Sequence, residues 1–438
     1  MPRIGVVGMA FPGFNLKEEM CPEKLQQMLK TLDEQPFEVL TASKPVYSNT
    51  DAREAGFELN NKEVDCVLAV ITTFVPDYFI VELLSRCDKP VFLWAVEREI
   101  ECIALVCGPM ITATLYNLNK NYCLYGSDIG DRDTINELAI FARAAMLKRL
   151  LSKTRIGYMG GKPDIMFSMT VDEYQLKRVL DTSIINIPIE ELYETVKHIS
   201  DVDGEKCWTD VKSKAGNVSV GCNDGIESCK FLLATSKLVE KYEIDAISIN
   251  CFPHLKSKIC LTIARLNDNL IASACEGDLH STILMYLLSS LTNKSAFNGD
   301  FLRINSDENT VLFSHCGAGA FNLAESPSSV GLQNSIETCD GLAVCYATRM
   351  DGEVTLLNMM LGPDGMRIAS MLGEAKETDL TYEGTPLLVG FEHDVKQLLQ
   401  RVSKCGAGHH WNGINGNYIK EFALLCNFLN VKFNYLTK

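Results

Sequence analysis

The stretch TRIGYMGGKPDIM, residues 154–166, decides the fold class because a new strand begins there directly after a long helix. Its first half is short, apolar and closed by glycines, which is the pattern of a buried strand. The helix before it is predicted over residues 133–152, DTINELAIFARAAMLKRLLS. A buried strand that restarts after such a helix indicates the beginning of a second α/β domain.

The residues before this restart predict a first α/β domain. Short apolar runs rich in β-branched residues, at 3–9, 63–74 and 89–97, indicate buried strands, and helical patterns lie between them. Buried strands that alternate with amphipathic helices pair in parallel, and the helices cover the sheet. We therefore predict a doubly wound parallel-sheet domain over residues 1–152.

The residues after the restart predict two further domains. Helical patterns at 171–181 and 189–201 and a buried strand at 244–252 continue the α/β alternation, so we predict a second doubly wound domain over residues 153–295. From residue 296 onward, alternating strands are joined by D-G and P-D-G turns, which is typical of antiparallel structure. We predict a mostly antiparallel β domain over residues 296–438.

The glycines of the restart, Gly157, Gly160 and Gly161, allow two interpretations. Glycine clusters between a strand and a helix can cradle a phosphate group. Here the spacing is G-x-x-G-G rather than G-x-G-x-x-G, and Pro163 with Asp164 favours a turn. We therefore prefer a turn to a nucleotide site.

Charge and cysteine content exclude several classes of protein. A net charge of −15 argues against a nucleic-acid partner, which requires a basic surface. The 17 cysteines are odd in number and contain no C-x-x-C pair, so we expect reduced core thiols rather than a disulfide framework or a structural zinc site. Without a signal-peptide pattern or an apolar run long enough for a membrane span, we expect a soluble, cytoplasmic protein.

Two of the seven histidines, His409 and His410, stand together in the glycine-rich stretch CGAGHHWNGING at 405–416. Possible partners follow the apolar stretch NLIASAC, where Glu276 and Asp278 precede a long apolar helix. Carboxylates after a strand of an open α/β sheet lie on its ligand-binding edge. Asp278 could instead serve only as the N-cap of the helix, whereas Glu276 precedes the cap and is freer to point into a cleft.

Two more candidates lie further along the chain. Asp300 follows an N-G pair, where an Asp is usually a turn residue, and His315 ends an apolar strand in FSHCGAGA, where a histidine is usually structural. Taken together with Glu276 and the histidine pair, however, these residues form the oxygen- and nitrogen-rich set of a hard-metal site with open positions.

This order of motifs resembles the L-fucose isomerase and L-arabinose isomerase superfamily. The resemblance rests on C-E-x-D before a long apolar helix, an Asp about two dozen residues later, SHCGAG and a late GAGHHW. It implies two α/β domains followed by a β-rich domain. It also implies a manganese site formed by Glu276, Asp300 and His410, with His315 as an additional ligand in the arabinose isomerase branch.

The resemblance implies an aldose–ketose isomerase that acts through an ene-diol on a pentose, a 6-deoxyhexose or a sulfonated hexose. Glu276 and Asp300 would be both ligands and acid–base groups, and Mn²⁺ could be replaced by Mg²⁺ or Co²⁺. His409 would contact the substrate or orient a ligand, and Trp411 would contact the sugar unless it is structural. A homo-oligomer with active sites near subunit interfaces is also implied.

Two expectations concern side-chain direction. Neighbouring residues of extended backbone point to opposite sides, so Cys275 and Cys316 should face away from the metal site, and His409 should face away from the ion that His410 binds. Two other classes of function stay open. One is a non-catalytic intracellular sugar-binding protein, and the other is a metal-dependent hydrolase or aldolase that acts on a sugar derivative.

Overall fold

The computed structural model of the protein describes residues 1–14, 16–97, 103–335, 338, 340–379 and 384–438. These residues form two compact units, one of Met1–Arg149 with Lys420–Phe428 and the other of Leu150–Ile419 with Leu429–Lys438. The domain limits after residues 152 and 295 stay predictions. Among the residues that the structure describes, no helix combines the length and the apolar character that crossing a bilayer requires.

The first unit contains a five-stranded parallel sheet with the strand order β2-β1-β3-β4-β5. Its strands are β1 Arg3–Met9, β2 Glu38–Thr41, β3 Cys66–Ile71, β4 Val91–Val96 and β5 Tyr122–Ser127. Its helices are α1 Cys21–Asp33, α2 Asn49–Asn61, α3 Asp77–Leu84, α4 Ala104–Asn117, α5 Arg132–Lys153 and, near the end of the chain, α13 Ile419–Leu429. This is the predicted doubly wound arrangement.

Alternation along the strands explains why helices cover both faces of this sheet. Val7, Met9 and Val67 contribute to the apolar core that contains residues of α2, α3 and α4. Ile4 and Leu68 contribute to the core that contains residues of α1 and α5. Each such side chain contributes about 1.5–3 kcal/mol when fully buried, so a central strand buried on both faces is uniformly apolar.

The second unit begins with the restart identified above and contains a four-stranded parallel sheet with the order β10-β9-β6-β7. Its strands are β6 Arg155–Met159, β7 Ser183–Ile187, β9 Ala246–Ile249 and β10 Ala272–Ala274. The helices of this part are α6 Glu173–Leu180, α7 Ile189–Lys197, α8 Asp201–Lys212, α9 Cys222–Tyr242, α10 Cys260–Asp268 and α11 Leu279–Thr292. The second predicted parallel sheet is thus confirmed.

The rest of the second unit is a mixed, mostly antiparallel sheet with the order β15-β18-β11-β12-β17-β16-β19. Because β15 also pairs with β16, six of these strands close into a ring. The strands are β11 Phe297–Asn305, β12 Thr310–Ser314, β15 Glu353–Gly362, β16 Gly365–Lys376, β17 Leu387–Gly390, β18 His410–Asn415 and β19 Lys432–Tyr435. The predicted P-D-G turn joins β15 to β16.

A small sheet and one more helix complete the second unit. The small sheet consists of β8 Asn217–Val218, β13 Gly331–Gln333 and β14 Ala343–Cys345, and α12 spans Val395–Cys405. Helix α11 packs against both large sheets of the unit, through β9 and β10 of the parallel sheet and through β11, β15 and β18 of the ring. The segment that precedes α11 therefore lies where the two sheets meet.

Candidate metal centre

Glu276 lies immediately beyond the carboxyl end of β10, at the turn into α11. Glu276 and Gly277 both adopt left-handed backbone, with φ of 57° and 59°. A Cβ atom at Gly277 would collide with the carbonyl oxygen of Gly161, so the glycines of the 154–166 stretch allow a close approach of two backbones. The structure thus supports the turn interpretation of these glycines, with a turn at Asp164 as predicted.

Replacing Gly277 with Ala is expected to lower the free energy of unfolding by about 1–3 kcal/mol, because the left-handed backbone and the collision with Gly161 both oppose a side chain. Urea denaturation measures the change. Gly406→Ala is the matched control, since Gly406 has a φ of 73° but open space around its Cβ position, and we expect it to cost about 1 kcal/mol or less. Equal losses would mean that the contact with Gly161 contributes nothing.

Strand register brings Asp300 and His410 together. In the ring, Asp300 of β11 is directly opposite His410 of β18 on one side and Ser314 of β12 on the other. His315 is the next residue after β12. Asp300 thus lies in a strand and not in the turn that is usual for an Asp after an N-G pair, because this N-G pair lies inside β11, where Gly299 is opposite Trp411.

Asp278 caps helix α11 and also accepts a hydrogen bond from His410. One carboxylate oxygen accepts a hydrogen bond from the Ser281 amide at 2.9 Å, so Asp278 is the N-cap of α11. The other oxygen accepts a hydrogen bond from Nδ1 of His410 at 2.8 Å. The N-cap interpretation is confirmed, but it is incomplete, since the same carboxylate also leaves Nε2 of His410 as the nitrogen that faces the centre.

The centre is formed by His410 and the groups around its Nε2 atom. This atom lies 3.5 Å from Oε2 of Glu276, 3.8 Å from Oδ1 of Asp300 and 3.1 Å from Nε2 of His315. Ligand atoms within 4.8 Å of one another form two groups of this kind, Glu276 with both histidines of the pair and Asp300 with His315 and His410. His410 is common to the two groups.

The donor set fits a divalent cation that prefers oxygen and imidazole ligands. Oε2 of Glu276 is buried and has no hydrogen-bond partner among the described residues, which a bound cation would correct. Burial by itself would raise the pKa of Glu276, but the neighbouring His409 ring and the positive charges of the surrounding histidines hold that pKa at about 2. Glu276 is therefore ionised at neutral pH.

His409 was expected to point away from the centre, but its side chain faces the centre. Its Nε2 atom lies 3.5 Å from Oε2 of Glu276 and 4.0 Å from Oδ1 of Asp300. The alternation rule does not apply because β18 begins at His410, so His409 precedes the strand. The neighbouring Glu276 carboxylate raises the pKa of His409. The His409 side chain is 40% exposed, compared with 2% for His410. Of the two rings, only that of His410 is therefore enclosed by other parts of the protein.

Trp411 is not available to a ligand. Its side chain is fully buried in the apolar core of the second unit. The structure therefore favours the structural role of Trp411 over the contact with a sugar. Within β18, side chains alternate between the two faces, so His410 and Asn412 point to the side of α11, where Asn412 donates a hydrogen bond to Ser281. Trp411 points to the other side, into the core.

The thiols of Cys275 and Cys316 also depart from expectation. Sγ of Cys275 lies 3.1 Å from Nε2 of His315, and Sγ of Cys316 lies 3.2 Å from Nδ1 of the same ring. The prediction that they face away is wrong because the backbone is not extended at either place. The backbone of Glu276, next to Cys275, is left-handed, and Cys316 lies beyond the end of β12 at Ser314. The described cysteines are free thiols and most are buried, as predicted.

Two functional candidates had not been predicted. The side chain of Asn358 donates to the carbonyl of His410 at 2.6 Å and accepts from the amide of Gly408 at 3.1 Å, so it fixes the backbone around the histidine pair. His280 is buried, its Nε2 atom has no hydrogen-bond partner among the described residues, and it lines a cavity of about 340 Å³ beside the histidine pair. Asn358 is a polar residue inside the apolar run of β15, a signal that could have identified it.

Sequence comparison identifies known proteins to which this chain is similar. No protein-family model matches the chain. Proteins named sulfoquinovose isomerase from Priestia aryabhattai and Alkalicoccus urumqiensis are 23% identical over 388 residues and 25% identical over 387 residues. These alignments cover 85% and 84% of this chain and 86% and 85% of the relatives. A relative of the same name from Clostridium sp. (strain MSTE9) is 26% identical over 311 residues, 68% of each chain.

Two solved structures of solute-binding proteins were also found. A substrate-binding protein from Clostridium difficile is 13% identical and covers 64% of this chain and 76% of its own. A periplasmic solute-binding protein from Actinobacillus succinogenes is 12% identical and covers 67% and 92%. Both have a TM-score of 0.19, too low to carry an argument. Along most of its length, the chain is similar to proteins named sulfoquinovose isomerase.

Proposed function

We propose that the chain is a metal-dependent aldose–ketose isomerase of the L-fucose and L-arabinose isomerase superfamily, with a C6-sulfonated hexose as its substrate. The names of its relatives identify an isomerase, an intramolecular oxidoreductase. The observation that carries the proposal is the position of His410 Nε2, 3.5 Å from Glu276 and 3.8 Å from Asp300. Two carboxylates around one buried imidazole suit both a hard cation and proton transfer.

Isomerisation moves one hydrogen between C1 and C2 of the sugar and one proton between the two oxygens. Glu276 is ionised at neutral pH and can accept a proton, while Asp300, which is more exposed, faces the same histidine from the ring of strands. Each carboxylate can thus accept or donate a proton on one side of the reacting carbons. His410, fixed through Nδ1 by Asp278, keeps its place between them.

The cation in this proposal is Mn²⁺, with Mg²⁺ or Co²⁺ as substitutes. Glu276, Asp300 and His410 would hold it, and His315 is the candidate for a further ligand. When bound, a divalent cation polarises the sugar carbonyl and stabilises the negative charge that develops on its oxygen. A homo-oligomer with sites near subunit interfaces and a cytoplasmic location stay predictions.

The test is conversion of sulfoquinovose to the corresponding 2-ketose, followed by nuclear magnetic resonance. We expect turnover that is lost after chelation, with metal removal verified by elemental analysis, and restored best by Mn²⁺. L-Fucose and L-arabinose are the matched unsulfonated substrates. Full turnover by verified metal-free protein would exclude the metal dependence. Binding without conversion would favour a sugar-binding protein, and a cleaved carbon skeleton or a released group would favour an aldolase or a hydrolase.

Replacing Asp278 with Asn is expected to lower the affinity for the cation about 10- to 100-fold with little loss of thermal stability. Asn keeps an oxygen that can cap α11 but removes the negative charge opposite Nδ1 of His410. Calorimetric titration with Mn²⁺ measures the affinity. Asp172→Asn is the matched control, because Asp172 caps α6 in the same way, through the amide of Gln175. An unchanged affinity would reduce Asp278 to a helix cap.

A further inference from the structure

A cluster of thiols lies directly behind the candidate metal centre, around the ring of His315. Nδ1 lies 3.2 Å from Sγ of Cys316 and 3.7 Å from Sγ of Cys275, and the Cys275 sulfur also lies 3.1 Å from Nε2. The thiols of Cys316 and Cys251 are neighbours of the Cys275 thiol. His315, Cys275 and Cys251 are all buried. Three thiols and one imidazole therefore share a small volume.

This cluster differs in chemistry from the carboxylates on the other side of His315. Carboxylate oxygens select Mg²⁺ and Mn²⁺, whereas thiolates with imidazole select zinc and its heavier relatives, which such donors bind in a tetrahedral arrangement. The ligand atoms of Cys275, His315 and the intervening Glu276 lie within 4.8 Å of one another. The soft ligands thus directly adjoin the hard set at His315 and Glu276.

We propose that Cys275, Cys316 and His315, with Cys251 in contact with Cys275, form a binding site for a thiophilic divalent cation such as Zn²⁺ or Cd²⁺. Each thiol that binds releases its proton to solvent, and no oxidation is involved. The arrangement supplies two sulfur ligands and one nitrogen ligand, donors that zinc prefers, and the thiol of Cys251 is a neighbour of Cys275.

Occupation of this thiol site inhibits the neighbouring centre, an effect that rests on the proposed function. His315 lies 3.1 Å from His410, and a cation that takes His315 as a ligand restrains its ring. The same cation places positive charge beside Glu276, the neighbour of Cys275 in the chain. Both effects oppose the binding of Mn²⁺ by Glu276 and His410.

The direct test is titration of metal-free protein with Cd²⁺, followed through the ultraviolet charge-transfer absorption of the cadmium–thiolate bond. We expect a band that saturates at one equivalent. Cys275→Ser and Cys316→Ser should weaken Cd²⁺ binding roughly 100-fold or more, because each removes one ligand from a small set. Cys207→Ser is the matched control, since Cys207 forms a hydrogen-bonded thiol pair with Cys229 elsewhere in the second unit. Bands of unchanged size in both site variants would overturn the proposal.

A second measurement uses the unaltered protein and so does not depend on the folding of any variant. Bound Cd²⁺ should protect the partly exposed Cys316 from alkylation, as mapped by mass spectrometry, and leave the exposed Cys222 reactive. Alkylation of Cys316 at the same rate with and without Cd²⁺ would contradict the site.

Inhibition is tested separately, with Mn²⁺-loaded protein and sulfoquinovose. Cd²⁺ should inhibit the unaltered protein at concentrations at which the Cys275→Ser variant stays active. Equal inhibition of both would exclude the regulatory part of the proposal. Absence of isomerisation in any sample would count against the proposed function, while the binding and alkylation results would still decide the thiol site.

Discussion

Glu276→Gln and Asp300→Asn are each expected to reduce isomerisation by at least about 10²- to 10⁴-fold, the range that a general acid or base contributes. Each substitution removes a negative charge and a proton acceptor from a pair that flanks Nε2 of His410, and each also removes a candidate ligand for the cation. Turnover of sulfoquinovose at saturating Mn²⁺ measures the loss, and circular dichroism with thermal unfolding verifies the fold.

The controls for this pair lie on the turn that joins β11 to β12. Glu308 and Asp307 are exposed there, so Glu308→Gln and Asp307→Asn make the same chemical changes without touching the centre. We expect both controls to retain full turnover. Glu276 or Asp300 variants that keep even a tenth of the activity would show that the acid–base pair lies elsewhere.

His410→Gln is expected to remove most of the bound metal, whereas His409→Gln should leave the metal content near normal. Both rings face the same two carboxylates, but they are held very differently. His410 is 2% exposed, donates to Asp278 at 2.8 Å and has its carbonyl fixed by Asn358. A ligand that is already oriented loses little entropy on binding, so we assign the metal to His410 and expect His409 to affect turnover or substrate affinity.

Metal stoichiometry after gel filtration decides between the two histidines, with the exposed His198→Gln as the control for general effects of losing an imidazole. Equal loss of metal in the His409 and His410 variants would mean that both rings are ligands, which their common distance of 3.5 Å to Glu276 makes geometrically accessible. Loss of metal in the His409 variant alone would show that His409 is the ligand and would contradict our assignment.

The fold was predictable because burial imposes a pattern on each element separately. Strands that are apolar throughout, such as β3 and β4, can be recognised without knowing their neighbours, and so can the long helix that precedes residue 155. Sheet closure was not predictable in this way. The pairing of β18 with both β15 and β11 depends on contacts between residues that are distant in the chain.

The candidate site was predictable in composition but not in detail. The order of Glu276, Asp300 and the histidine pair could be recognised from the resemblance, but the N-G pair before Asp300 is a strong local signal for a turn and does not indicate that it lies inside β11. Opposite Trp411 in β11, Gly299 instead leaves room for a large side chain. The rule of alternating directions failed at Cys275 and at His409, where the backbone leaves the extended region or has not yet entered it.

The way in which the centre is assembled has a consequence for folding. His410 lies 410 − 276 = 134 residues after Glu276, and the two meet only when β18 has been inserted between β15 and β11. Contacts of such long range form late and slowly, so a chain that has formed its parallel sheets but has not closed the ring has no complete cation site. Binding of the proposed cation would then report completion of the native topology, and at 100 times its dissociation constant the cation would stabilise the folded state by about 2.7 kcal/mol.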